Sequence, residues 1–196
     1  MDPTLILPLL GFAVASTITP GPNNMMLLAS GANFGLRRTV PHMIGITGGL
    51  TFMALVLGLG LAGVFRAYPA LETALEVASV LYLLWLAWKI ATAAPKEGTA
   101  AGKPLTVLQA AAFQWVNPKA WAMALGAMTL YAGDSAWGVL AVALTFFAVG
   151  LPCNSLWAAL GQEMRRVLTS PARLRAFNWT MAGLLVLSLV PVVWHP

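Results

Sequence analysis

Three amide side chains and one lysine lie in the middle of two long apolar runs of this sequence. Asn23 and Asn24 belong to the first run, and Asn117 and Lys119 belong to the fourth. An amide donates and accepts hydrogen bonds at once, and a lysine ammonium offers three donors and a positive charge. These residue types together could bind a small polar molecule that carries a carboxylate.

Lys119 is the most unusual of the four. It lies about a dozen residues from either end of its apolar run, and its neighbours Trp115, Ala120 and Trp121 carry no charge. A basic side chain at the centre of a membrane helix costs about 2.5–3.5 kcal/mol. A lysine that reaches an interface by snorkelling would lie nearer to an end of the run. The position therefore favours a functional ammonium that holds a carboxylate or changes partners.

The composition excludes an ordinary soluble domain. Of the 196 residues, 59% are apolar and 9% are charged, with 11 basic and 6 acidic side chains. Soluble domains carry about 25% charged residues. A membrane crossing takes about 20 helical residues, so the chain has room for about five to seven spans and for no separate soluble domain.

Short polar or proline-containing joints divide the chain into six apolar runs. We predict an all-α integral membrane protein with six transmembrane helices near Leu5–Ala32, Pro41–Val64, Ala70–Ala91, Leu105–Tyr131, Ala136–Leu160 and Asn178–Trp194. Only the joint after the third run has the composition of a linker. It divides the chain into a first unit, residues 1–94, a linker, residues 95–104, and a second unit, residues 105–196.

Lysine and arginine lie mostly on one side of the predicted membrane. Nine of these residues lie at or beside the joints that follow the first, third and fifth apolar runs: Arg37, Arg38, Lys89, Lys96, Lys103, Arg165, Arg166, Arg173 and Arg175. Arg66 is the one at a joint on the opposite side, and Lys119 falls within a span. Cytoplasmic loops carry an excess of these residues. We therefore predict that both termini face outward and that the basic residues mark the cytoplasmic membrane surface rather than a nucleic-acid site.

The two halves of the chain carry prolines at matching positions. Pro20 and Pro118 are 98 residues apart, half of the 196-residue length, and both have polar neighbours. Because each half contains three spans, the halves must have opposite orientations. Inverted repeats with helices interrupted at matching positions point to the substrate site of a transporter. We predict two inverted three-helix repeats in which helices 1 and 4 are broken at proline.

A broken helix in a membrane needs a physical reason. Proline in mid-helix costs about 3 kcal/mol, and the freed carbonyls are tolerated only beside protein or a watered cavity. A half-helix that begins at the break points free N–H groups at an anionic ligand. Ordinary proline kinks are the alternative. The predicted substrate site consists of Thr19, Pro20, Gly21, Pro22, Asn23, Asn24, Asn117, Pro118, Lys119 and, from the fifth span, Asn154.

Few residues could support catalysis or bind a metal. Cys153 is the only cysteine, which excludes an intrachain disulfide and a two-thiol relay. His42 and His195 are far apart, and no His, Cys and carboxylate spacing is typical of a metal site. The chain has neither an H-E-x-x-H nor a G-x-S-x-G motif. We predict that the protein is not an enzyme and that it uses no metal or cofactor.

Small residues recur every four positions in the second span. They are Gly45 and Gly49, followed by Ala54, Gly58 and Ala62. This spacing permits close approach of two helices. The approach can occur within one bundle or between two copies of the chain, so the pattern is compatible with a homodimer.

Three motifs resemble those of the LysE/RhtB family of amino-acid exporters from bacterial inner membranes. They are Thr-Pro-Gly-Pro-Asn-Asn at 19–24, Leu-Trp-Leu-Ala-Trp-Lys-Ile-Ala at 84–91 and Gln-Trp-Val-Asn-Pro-Lys-Ala-Trp at 114–121. The resemblance extends from about residue 5 to the last span. The Asn-Asn ending of the first motif is most similar to the cysteine/O-acetylserine exporter branch.

The resemblance implies a secondary active exporter in the bacterial inner membrane, where the outward-facing termini predicted from the basic residues would lie in the periplasm. Its substrate would be a small amino acid or derivative of the threonine, homoserine, cysteine and O-acetylserine class, and its driving force the proton gradient. Many members have aspartate where this chain has Asn23. An amide cannot carry the coupled proton, so the resemblance leaves the coupling residue unidentified.

Two other function classes compete with an exporter. An intramembrane enzyme would need a nucleophile with its base or a metal constellation, and the motifs for these are missing. A non-transporting polytopic membrane subunit that packs against partner proteins would not need Lys119 or the paired breaks. An exporter would instead contact its amino-acid substrate and membrane lipids, and a second copy of the chain if it forms a homodimer, but no nucleic acid.

Overall fold

The protein is built from helices. A computed structural model describes residues 3–61, 69–93, 103–133 and 135–190, and these residues contain no strand. They form α1 (Ile6–Ile18), α2 (Pro22–Phe34), α3 (Leu36–Val56), α4 (Pro69–Ala91), α5 (Val107–Gln114), α6 (Pro118–Ala127), α7 (Ala136–Met164) and α8 (Pro171–Leu187). A 3₁₀ turn precedes α1, and π-helical turns at Leu57–Leu61 and Met128–Ala132 extend α3 and α6. The predicted all-α class is confirmed.

Three stretches of helix are long and apolar enough to cross a membrane. Among the described residues they are Leu36–Gly60, Thr73–Ala91 and Ala136–Met164, with 25, 19 and 29 residues. The apolar helix Ile6–Ile18 is shorter, with 13 residues. Helix α1 therefore needs a second helical segment to complete a crossing of about 20 residues.

Helices α1 and α2, and likewise α5 and α6, are separated by three non-helical residues. The residue before a proline avoids the helical region. Thr19 accordingly has φ −60° and ψ 135° before Pro20, and Asn117 has φ −103° and ψ 105° before Pro118. Pro22 and Pro118 then begin the next helix at its first position, where their missing N–H group is not needed.

Helices α2 and α7 cross at backbone contact. A Cβ atom added to Gly31 would overlap the carbonyl oxygen of Ala158, and one added to Gly161 would overlap the carbonyl oxygen of Leu28. Only glycine allows so close an approach, because its neighbour can lie where a side chain would begin. The crossing holds the second half of α2 against α7.

The small residues of α3 pack inside the same chain. A Cβ atom on Gly45 would lie 2.6 Å from the Cβ atom of Ala110, and one on Gly49 would lie 2.6 Å from the Cα atom of Ala111. Both contacts are made with α5. In this structure, that part of the small-residue pattern serves packing between helices of one bundle.

A reciprocal amide pair joins α2 to α8. Asn33 Nδ2 donates to Asn178 Oδ1 at 2.9 Å, and Asn178 Nδ2 donates to Asn33 Oδ1 at 3.2 Å and to the carbonyl oxygen of Ala93. Asn178 is fully buried. The pair therefore connects the C-terminal end of α2 and the residues just after α4 with the first half of α8.

Two predicted joints are much shorter in the structure. The joint predicted between the first two apolar runs, after Ala32 and before Pro41, is the single residue Gly35, because its φ of +82° ends α2 and lets α3 begin at Leu36. The joint predicted at 161–177 is 165–170, since α7 continues to Met164 and α8 begins at Pro171 rather than at Asn178. Ser170 caps α8 by accepting from the Arg173 amide at 3.3 Å. Residues 95–102 of the predicted linker, Arg66 and Trp194 lie outside the described residues.

Candidate functional site

A small cavity lies where the two non-helical joints face each other. It is enclosed by α1, α2, α3, α6 and α7. Six of the ten predicted site residues line it: Gly21, Asn23, Asn24, Asn117, Lys119 and Asn154. The other lining residues are Ser16, Thr17, Ile46, Thr47, Leu50, Ala120, Met123 and Gly150. Thr19, Pro20, Pro22 and Pro118 do not line the cavity but form the adjoining backbone.

The cavity holds about one water molecule. The space open to the centre of a water molecule is about 20 Å³, and roughly 10–15 Å³ is enough for one. An amino acid is several times larger than a water molecule. The helices around the cavity must therefore move apart before such a ligand can enter.

Asn24 satisfies the carbonyl groups that α1 leaves free at its C-terminus. Its Nδ2 donates to the carbonyl oxygens of Thr17 at 3.0 Å, Ile18 at 3.4 Å and Thr19 at 2.8 Å. Trp157 Nε1 also donates to the Ile18 oxygen, at 3.2 Å. Asn24 is 3% exposed, so its amide is committed to closing the end of α1.

The ammonium of Lys119 shares the Thr19 carbonyl with Asn24 and also contacts the next carbonyl of this joint. Lys119 Nζ donates to the carbonyl oxygen of Thr19 and, at 3.5 Å, to that of Pro20. A Cβ atom on Gly21 would lie 2.7 Å from Lys119 Cδ. Glycine at position 21 thus makes room for the lysine. Carbonyls that could bind the ammonium of a ligand are thus occupied by the ammonium of Lys119.

Asn23 and Gln114 form a reciprocal pair between α2 and α5. Asn23 Nδ2 donates to Gln114 Oε1 at 2.9 Å, and Gln114 Nε2 donates to Asn23 Oδ1 at 3.1 Å and to the Ala110 carbonyl at 2.9 Å. Gln114 is fully buried. The predicted site omitted Gln114, although it begins the third of the motifs on which the family resemblance is based. Gln114 could have been found as a candidate because it is a polar residue in an apolar helix.

Asn154 of α7 reaches across the cavity to α3. Its Nδ2 donates to Thr47 Oγ1 at 3.0 Å, and a Cβ atom on Gly150 would lie 2.8 Å from Thr47 Cγ2. Cys153 is buried beside it in the apolar core. This wall of the cavity is therefore polar on one side of α7 and packed against apolar residues on the other.

Two buried polar atoms at the cavity have no hydrogen-bond partner among the described residues. They are Thr17 Oγ1 and Asn117 Nδ2, on residues that are 8% and 1% exposed. Asn117 Oδ1 is used, because it caps α6 by accepting from the Lys119 amide at 3.2 Å. No side chain caps the N-terminus of α2. An unpaired buried polar group costs about 1–3 kcal/mol, so these groups are suited to a ligand with acceptor atoms.

Comparisons with known proteins show the family of the chain. A family model described as LysE type translocator matches residues 14–190. The chain belongs to the LysE type translocator family. It is 29% identical over 197 residues to a cysteine/O-acetylserine efflux protein from Klebsiella pneumoniae subsp. pneumoniae, covering 98% of this chain and 99% of the relative. It is 30% identical over 198 residues to the cysteine/O-acetylserine efflux protein of Escherichia coli K12, covering 99% and 100%. No solved structure matches significantly.

Membership in the LysE type translocator family confirms the resemblance inferred from the three motifs, including its nearest branch. It also confirms the prediction of a transmembrane amino-acid exporter. The family and these relatives are transporters, which supports the prediction that the protein is not an enzyme. Within the described part of this translocator, no group of three or more His, Cys, Asp or Glu residues could hold a metal ion.

Proposed function

We propose that this LysE type translocator exports a small amino acid or derivative of the cysteine, O-acetylserine, threonine and homoserine class across the bacterial inner membrane. The observation that carries the proposal is the cavity at which both proline joints meet, lined by two buried polar atoms without partners. The names of the relatives support this choice of substrate class.

The two chemical ends of such a zwitterion suit different parts of the cavity. Its carboxylate would accept from the uncapped N–H groups of α2 and from Asn117 Nδ2, with the Lys119 ammonium nearby. Its ammonium would donate to the carbonyl oxygens of Thr19 and Pro20. The hydroxyl of Thr17 can adjust to either end, because it both donates and accepts.

The proposed architecture is six spans in two inverted repeats. Helices α1 and α2 would form the first span and α5 and α6 the fourth, and each pair is interrupted by three residues. The two halves would rock about the cavity, with both termini in the periplasm. A homodimer stays a prediction, since Gly45 and Gly49 pack within the chain.

Orientation can be measured by thiol labelling. In a Cys153→Ser background, single cysteines at position 4 and at position 190 should both react with a membrane-impermeant maleimide added outside intact cells. A cysteine at position 168, between α7 and α8, should react only after the membrane is opened. Labelling of positions 4 and 190 from opposite sides would contradict the inverted repeat.

The substrate class is tested by release from liposomes. Purified protein is reconstituted, and vesicles are loaded in turn with cysteine, O-acetylserine, threonine, homoserine, leucine or lysine. We expect cysteine or O-acetylserine to leave faster than leucine and lysine, relative to protein-free vesicles. Equal leakage of all six compounds from vesicles with and without protein would contradict the proposed export.

Proton coupling needs a titratable group, and His42 is suited to it. Its side chain is buried, and neither ring nitrogen has a hydrogen-bond partner in the described ranges. Because residues four apart share a helix face, His42 lies on the same face of α3 as the cavity residues Ile46 and Leu50, about 6 Å along the helix axis from Ile46.

The surroundings of His42 contain few charges. Helices α2 and α5 have no Asp, Glu, Lys or Arg. Elsewhere, α3 carries exposed Arg37 and Arg38, α6 carries Lys119, and α7 carries Glu163, which pairs with Arg166 at 3.1 Å. A proton taken up by His42 would thus be the principal change of charge on this face of α3.

His42→Gln is expected to separate coupling from transport. One pH unit is worth about 1.4 kcal/mol per proton, so a coupled exporter can sustain about a tenfold cysteine gradient. In the variant, an imposed pH gradient of one unit should sustain no cysteine gradient, whereas cysteine exchange at equal pH should continue. A His42→Gln protein that still responds to the pH gradient as the wild type does would exclude His42 as the proton carrier.

A further inference from the structure

The ammonium of Lys119 has only backbone carbonyl partners in the described structure. They are the oxygens of Thr19 and Pro20, which belong to the opposite half of the chain. Glu163 is the one carboxylate whose side chain is described, and it is exposed and paired with Arg166. Among the residues that the structure describes, carbonyl dipoles and not an ion pair therefore stabilise the positive charge of Lys119.

A lysine side chain and a zwitterionic amino acid present the same cationic group. Each ends in an ammonium with three donors, and the proposed function places the ammonium of the cargo on the two carbonyls that Lys119 now occupies. Two like charges side by side repel strongly in a site with little water. The cargo and Lys119 therefore cannot occupy these carbonyls together.

The Pro20 carbonyl would lose its donor if Lys119 moved away, whereas the Thr19 oxygen would keep the Asn24 amide at 2.8 Å. The α-helical hydrogen bonds do not reach these oxygens, because α1 ends at Ile18 and Thr19 is extended. A carbonyl enclosed without a donor loses its hydrogen bond to water and gains nothing in return. A translocator that has released its cargo needs a donor here before the cavity can close again and the protein can return.

We propose that Lys119 is a tethered substitute for the ammonium of the cargo. In the empty translocator it binds the Thr19 and Pro20 carbonyls and permits the return step. When cargo binds, its ammonium displaces that of Lys119, which is then free to attract the cargo carboxylate. This inference rests on the proposed function, because it assumes that an amino acid binds in this cavity.

The closeness of Lys119 to the backbone supports such an exchange. Gly21 leaves the space that the lysine chain occupies, with an added Cβ atom 3.1 Å from Nζ. Asn24 acts differently, since it is buried and bonds three carbonyls at once. Lys119 is half-buried and lies at the cavity. Of these two side chains, Lys119 is the one that can leave without opening the end of α1.

Two transport measurements separate the return of the empty protein from the movement of cargo. Net efflux of labelled cysteine into cysteine-free buffer requires the empty protein to return. Exchange of labelled for unlabelled cysteine does not, because the protein is loaded in both directions. Both rates are measured in the same liposomes, under reducing conditions and at equal pH.

Lys119→Met, which keeps the length of the side chain without its charge, should lower net efflux about tenfold or more, whereas exchange should keep about a third of the wild-type rate at saturating cysteine. Lys119→Arg, which keeps a cationic donor, should retain net efflux better than Lys119→Met. If Lys119→Met does not reach the membrane, Lys119→Gln takes its place.

Equal loss of net efflux and exchange in the neutral variant would overturn the inference, because Lys119 would then be needed for binding or folding alone. Unchanged net efflux would overturn it as well. A wild-type protein that shows neither net efflux nor exchange of cysteine would instead contradict the proposed function. The failure of one proposal is thus distinguishable from the failure of the other.

Discussion

Gly161→Ala is expected to lower the melting temperature of the purified translocator by about 5–10 °C. The added methyl group would overlap the carbonyl oxygen of Leu28 on α2. Because the obstacle is backbone, α2 and α7 must move apart, and overpacking of this kind costs about 1–3 kcal/mol. The melting temperature is measured in detergent by following the loss of the monodisperse chromatographic peak with heating.

Gly183→Ala is the matched control. Gly183 lies within α8, and a Cβ atom there would meet no atom within 4 Å. Alanine is a better helix former than glycine by about 1 kcal/mol, so this variant should be as stable as the wild type or slightly more so. Equal melting temperatures for the two variants would contradict the close crossing of α2 and α7.

The second large effect is expected at the Asn23–Gln114 pair. Asn23→Leu should reduce export by about tenfold or more, because it removes an amide from the cavity and leaves the buried Gln114 with a broken pair. The protein should still reach the membrane. Export of cysteine from liposomes is measured together with the amount of protein that is reconstituted.

The double variant Asn23→Leu with Gln114→Leu separates stability from function. Replacing both partners of a buried hydrogen bond by apolar groups of similar shape is nearly neutral for stability. The double variant should therefore have a melting temperature close to that of the wild type, but its export should stay as low as that of Asn23→Leu. Recovery of export would show that Asn23 serves only the packing of α2 on α5. Gln109→Ala is the control, since Gln109 lies in α5 but bonds only in the exposed first turn.

Proline chemistry made the position of the cavity largely predictable from the sequence. A residue before proline avoids helical geometry in any context, so Thr19 and Asn117 indicated where helices end without knowledge of the fold. Polar residues beside those positions were natural candidates for the cavity, and six of the ten residues named in advance line it.

The residues that were missed depend on packing between distant helices. Ser16, Thr17 and Thr47 line the cavity, but a hydroxyl in an apolar helix more often bonds the carbonyl four residues earlier, as Thr51 does to Thr47 at 2.9 Å. Nothing local distinguishes the two cases. Their position follows from the rotation of α1 and α3 about their axes, which the tertiary packing decides.

The predicted boundary between α2 and α3 was wrong, because a single residue connects these helices where a loop was expected. The basic Arg37 and Arg38 suggested a polar joint, yet they lie exposed in the first turn of α3. A single Gly35 in the left-handed region is enough to end α2. The charges of Arg37 and Arg38 therefore indicated that they lie at the end of a helix, but they did not indicate how long the joint between α2 and α3 is.

The amide pairs between the two halves bear on how the protein is made. Asn23 is synthesised 91 residues before its partner Gln114, and Asn33 is synthesised 145 residues before Asn178. At about 5–20 residues per second, the first gap lasts about 5–18 s. During that time the nascent chain holds polar side chains that lipid cannot solvate. The insertion machinery, or water beside it, must shelter them until the rest of the chain emerges from the ribosome.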